Sequence, residues 1–169
     1  MPESKKLWNG KIVHAGIFDF KENYRFMYEW LMSHEYLVLE KKYTEKVKPE
    51  GGKFIEIRWT AYRKISNYFR FKMGLILKAP HIAPAEIQEG SMKVKRDKGE
   101  IEIRFDPGVF LEKDYENRWG KNGVLNFLRN LYDKYIIRSR IEFYEDMLKD
   151  ESDEFANQIK AFLILSGKI

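Results

Sequence analysis

Two triplets, Glu56-Ile57-Arg58 and Glu102-Ile103-Arg104, put a carboxylate and a cation on the same side of an extended chain. With Glu29 and Glu50 upstream, they approach the set that phosphodiester hydrolysis requires. Acidic side chains hold a hard divalent cation there, and the lysine of a carboxylate-x-Lys pair stands beside the activated water. Both triplets carry Arg where that chemistry wants Lys, and Arg neither gives up a proton readily nor matches the geometry. The same alternation also describes a solvated strand face with cross-strand ion pairs. A metal-dependent nuclease is therefore the remotest of the readings. The three histidines, His14, His34 and His81, fall on different expected elements, and the chain has no cysteine. Disulfide scaffolds, cysteine-ligated zinc, iron–sulfur clusters and thiol catalysis are thereby excluded. Phosphate-loop, dinucleotide, nucleophile-elbow and HExxH patterns are absent. The expectation is a non-catalytic protein with no cofactor and no metal.

The remaining candidates act by binding. Residues 111–123 concentrate charge and aromatic rings, with Asp114, Tyr115, Arg118 and Trp119 as a candidate partner-binding group. Tyr, Trp and Arg are the common anchors of protein interfaces. A second set interleaves basic and aromatic side chains: Lys42, Arg58, Tyr62, Tyr68, Arg70 and Lys72 on expected strands. Arg138 and Arg140 add a basic cluster on a C-terminal helix. Sheet surfaces of this composition stack bases and track phosphates in RNA-binding modules.

The elements that must position these groups are readable from periodicity. Residues 53–79 alternate strictly: Ile55, Ile57, Trp59 and Ala61 share one face of a first strand, and Phe69, Phe71, Met73, Leu75 and Leu77 share one face of a second. Residues 36–48 form a third strand with Leu37, Leu39 and Tyr43 inward, joined to the first by the turn Pro49-Glu50-Gly51-Gly52. Pro80 and Pro84 are expected to end the second central strand. A further hairpin should turn at Asp97-Lys98-Gly99.

Asp19 caps a helix over Phe20–Ser33, with Glu22 three positions on, as in a capping box. A long helix is expected over residues 124–149 and a separate one from Ser152 to a C-cap at Gly167. Residues 1–10 read as a flexible polar tail. The predicted fold class is α+β: one domain over residues 1–169, an antiparallel meander of about five strands, with an N-terminal helix and two C-terminal helices covering one face.

Composition sets the remaining bounds. Hydrophobic residues make up 44% of 169, enough for one sizeable core. The net charge of +5 mixes 31 basic with 26 acidic residues, which permits an anionic partner without demanding one. No apolar run approaches the ~20 residues that span a bilayer, and no leader pattern is visible, so a cytoplasmic protein with no membrane partner is expected. The runs YRFMYEWL, IEIRWTAYRKISNYFRFKM, LEKDYENRW and LRNLYDKYIIRSRIEFYEDML resemble a group of uncharacterised archaeal proteins. That resemblance implies an archaeal origin and brings no catalytic or ligand-binding residue with it. The leading expectation is a macromolecule-binding or self-assembling module; the alternative is an RNA- or DNA-binding protein that uses the basic, aromatic sheet face.

Overall fold

The structure, a computed structural model, describes residues 3–116 and 122–167, with Glu3 described by its backbone alone. Seven antiparallel strands form one open sheet: β1 Glu3–Trp8, β2 Lys11–Phe18, β3 Leu37–Val47, β4 Lys53–Lys64, β5 Phe69–Glu89, β6 Met92–Arg104 and β7 Val109–Lys113. Helix α1 (Phe20–Ser33) follows β2. After β7 come α2 (Gly123–Leu131), a five-residue π-helical turn (Tyr132–Ile136) and α3 (Arg138–Ser166). The fold is α+β, as the alternation and helical stripes predict.

The sheet is simpler than its strand count. Strand β5 pairs with β7 over Phe69–Met73 and with β6 over Ile76–Glu89. Strands β6 and β7 thus lie end to end along one side of β5, interrupted only at residues 105–108. Along their far side, β1 pairs with β7 and β2 with β6. Five lines of chain result, in the order β1/β2, β6/β7, β5, β4, β3.

The register buries what the alternation puts on one face. Ile57, Phe71, Met73, Leu77 and Ile103 are fully enclosed, with Trp59 and Leu75 nearly so. From the helix side, Met27 and Leu31 of α1 and Leu148, Phe155, Ile159 and Leu163 of α3 close the same core. Burial of this kind stabilises by about 1.5–3 kcal/mol per large side chain. Asp19 caps α1 as expected, its carboxylate accepting the Glu22 N–H at 3.1 Å. A second carboxylate, from Asp97 of β6, accepts the Phe20 N–H at 2.9 Å and ties the helix start to the sheet.

Five sequence-based expectations are corrected. Of the expected tail over residues 1–10, residues 3–10 are not free, and residues 1–2 lie outside the described residues: β1 pairs with β7, Trp8 packs edge-on to Phe105 at 4.7 Å, and its indole N–H reaches Asp153 of α3. The prolines do not end β5. Pro80 sits in the register shift between Lys78 and His81, and Pro84 lies past Ile82, where β4 no longer pairs and no ladder bond is lost. The hairpin turns at Gly90-Ser91, not at Asp97-Lys98-Gly99. Gly99 is instead a strand-interior residue at φ 155°, paired with Gly16 and Ile82, where a Cβ would run into the His81 carbonyl.

Leu37 and Leu39 face away from the core. A bulge between Glu40 and Lys42 shifts the phase of β3, so Val38 and Tyr43 take the core side on either side of it. The final correction concerns the C-terminal helices. The break falls at the π turn, and α3 runs unbroken through Ser152. That serine does not cap a new helix; its hydroxyl donates back to the Leu148 carbonyl at 2.7 Å.

One buried polar group lacks an obvious role. The Tyr36 hydroxyl, 2% exposed, makes no hydrogen bond of good geometry. Burial and the nearby Glu151 carboxylate push its pKa far upward, so it stays neutral. Glu151 itself holds Arg63 at 3.1 Å. Removing an unsatisfied hydroxyl gives up nothing but its desolvation cost. Tyr36→Phe should therefore leave stability unchanged or raise it by up to ~1 kcal/mol in a urea melt. A loss above ~1 kcal/mol would mean that the hydroxyl bonds Glu151 in solution.

Candidate nucleic-acid interface

Most of the apolar alternation points one way, and the opposite face of the sheet is left largely to the intervening polar residues, with Leu37, Ile76 and Phe110 set among them. Register places them in cross-strand rows. One row runs Leu37, Tyr62, Lys72, Phe110, Lys6. A neighbouring row runs Lys64, Arg70, Glu112, Ser4. On the other side of the Tyr62 row, past Thr60 and Gly74, come Lys42, Arg58, Ile76, Arg104 and Lys11. Beyond it lie Thr44, Glu56, Lys78 and Glu102. Five rows across five lines of chain cover roughly 25 by 20 Å, from ~3.3 Å per residue and ~4.8 Å between strands. Lys6, Lys11, Lys42, Arg58, Lys64 and Arg104 are exposed on it, and Tyr62, Lys72, Lys78 and Phe110 are partly so.

Among the described residues, three carboxylates stand in these rows: Glu56, Glu102 and Glu112. Glu56 is shared by Lys42 at 3.4 Å and Arg58 at 3.2 Å. Partial burial opposes its ionisation, but hydrogen bonds from Arg58 and Lys42 outweigh that and hold its pKa below the usual carboxylate range. Glu102 is likewise shared by Arg104 at 3.2 Å and Lys11 at 3.8 Å. Each of these two groups keeps an excess positive charge. Exposed pairs of this kind contribute about 0–1 kcal/mol, so an incoming phosphate can displace them cheaply.

Arg70 is held differently. Its guanidinium meets the buried Glu112 at 2.5 Å and lies between two rings, 4.4 Å from the Tyr62 centroid and 5.0 Å from that of Tyr115. It braces Tyr62 from one side while the Lys72 ammonium lies 6.0 Å from the same ring. Tyr62 is thus a fixed aromatic platform with cations around it.

The sequence-derived set divides. Lys42, Arg58, Tyr62, Arg70 and Lys72 converge on this face. Tyr68 does not join them: its hydroxyl donates to Asp133 at 2.5 Å, beside the Lys113–Asp133 pair at 3.0 Å, and burial with the Asp133 charge raises its pKa strongly. Arg138 and Arg140 lie exposed on α3; Arg138 pairs with Glu142 one turn on, and Arg140 borders a groove with Ser66, Tyr68 and Tyr144. They flank the end of the sheet, on the helix side.

The candidate partner group is engaged internally where it is described. Asp114 is buried and pairs with Arg129 of α2 at 3.4 Å; the Tyr115 hydroxyl donates to the Ser66 carbonyl at 2.9 Å. Arg118 and Trp119 lie outside the described residues. Lys6, Lys11, Lys64, Lys78, Arg104 and Phe110 were missed by sequence reasoning. The alternation of IEIR over residues 101–104 was a usable signal for Arg104. Their convergence depends on strand order, which a single sequence does not carry.

Among the described residues, no three His, Asp or Glu side chains converge to hold a metal ion, and no helix is long and apolar enough to cross a membrane. No protein family, no curated protein and no solved structure matches this chain.

Proposed function

We propose that the protein binds single-stranded nucleic acid, RNA in the first instance, across the face of its sheet that no described helix covers. The observation that carries this reading is the row system itself: cations on every line of chain, around a braced Tyr62. Lysines and arginines at the row ends neutralise phosphates, and Tyr62 and Phe110 offer ring faces to bases. A base–aromatic stack contributes about 1–3 kcal/mol and tolerates any base, so broad sequence acceptance is expected.

A labelled mixed-sequence oligoribonucleotide titrated with nuclease-treated protein tests this by fluorescence anisotropy. Binding should be clear at ~50 mM salt and fall ~10²-fold or more by ~200 mM, because each neutralised phosphate releases counterions. Absence of binding at the lower salt would overturn the proposal. Preference for duplex over single strand would overturn the stacking role of Tyr62.

A further inference from the structure

Helix α2 is inside out. Its most enclosed residue is Arg129, 8% exposed, while Phe127 stands 63% exposed and Val124, Leu128 and Leu131 also face solvent. The polar side explains why. Arg129 reaches Asp114 and Asn126, and Asp133 in the following π turn takes Tyr68 and Lys113. Polar bonds therefore anchor the segment to the end of the sheet, and its apolar side is turned outward. The π turn carries the stripe on to Tyr135 and Ile136, each 69% exposed.

We propose that residues 124–136 form the two-fold interface of a homodimer, each copy laying this segment antiparallel on that of the other. Three features of the surface select a second copy of the chain as the occupant. First, Val124, Leu128, Leu131 and Tyr135 are spaced four, three and four apart, the rhythm by which one helix packs into the holes of another. Second, Lys134 is the one exposed charge among the described residues 124–136, so two copies of a chain with net charge +5 bring little like charge together there. Third, the area fits. With ordinary side-chain areas, the exposed fractions of the six apolar residues come to roughly 600 Å² per copy, close to the ~800 Å² per partner of a standard stable interface. An isologous contact needs no second kind of surface.

Sedimentation velocity on nuclease-treated protein over ~1–100 μM tests the inference, nucleic acid being removed so that it cannot bridge copies. The expected species has twice the 20.3 kDa chain mass. Phe127→Glu combined with Leu131→Glu should give a folded monomer with the wild-type circular-dichroism spectrum, since both positions are exposed, and should raise the dissociation constant at least ~100-fold. Because the chain has no cysteine, Leu128→Cys offers a second readout: oxidation should link two copies, and Thr60→Cys on the sheet's open face should not link them. A monomeric wild type throughout the range overturns the proposal. So does a double glutamate variant that stays dimeric, or a monomer that sediments with lipid vesicles instead.

Discussion

Reversing Lys42, Lys64 and Lys72 together to glutamate should weaken RNA binding by ~100-fold or more at low salt while leaving the fold intact. The three side chains sit on β3, β4 and β5, on the open face and outside the core. Each reversal removes a phosphate contact and adds a repulsion. With a single strand, the salt slope should also fall by about 0.7 per contact, roughly two units in all. Glu56 keeps Arg58 as its partner in this variant, so no carboxylate is stranded. Lys149→Glu with Lys160→Glu, exposed on α3, is the control for net charge. That pair should change affinity only a few-fold. If both variants lose binding alike, the protein attracts RNA by overall charge and the row system is not the interface.

Phe155→Ala should destabilise the protein by about 3–5 kcal/mol and lower its melting temperature by ~10 °C. The ring is fully buried in α3 and stacks on Trp30 of α1 at 4.1 Å, the planes 11° apart. It also meets Phe105, at the junction between β6 and β7, edge-on at 5.9 Å. Trp30 stacks in turn on His34 at 3.7 Å. The side chain thus joins two helices and the middle of the sheet. Thermal unfolding followed by circular dichroism checks the effect. A loss below ~1 kcal/mol would mean that α3 is not docked on α1 in solution.

Much of this architecture is legible in the chain itself, for local reasons. Asp19 and Glu22 mark the start of α1 because the capping bond closes within three residues. Ile55 to Ala61 and Phe69 to Leu77 declare their strands because a side-chain period of two is fixed by the backbone. What escapes sequence reading is set by partners far along the chain. The Pro84 position is harmless only because β4 stops pairing at Ile82. Gly99 looks like a turn glycine, but its need is a close approach to His81. Leu37 and Leu39 look buried because the bulge that turns them outward is a property of the β3–β4 ladder. The same holds for the candidate interface. Arg58, Tyr62, Arg70 and Lys72 could be assigned to one face from alternation. Tyr68 could not be separated from them without Asp133, 65 positions later.

The pairing of β1/β2 with β6/β7 has a consequence for how the protein is made. Glu3 lies opposite Lys113 and Lys11 opposite Arg104. At ~5–20 residues per second, a ribosome delivers the partner strand roughly 5–20 s after the first strand has emerged. Through that interval β2, which carries the core residues Ile12 and Phe18, has no partner strand. Trp8 waits longer still for Asp153 of α3. Strands β1 and β2 thus emerge well before the strands they pair with and are among the last to find their place. Such long-range closure slows folding and lengthens the exposure of unpaired strand edges. The nascent chain passes through these seconds as an unfinished sheet with its strand edges exposed.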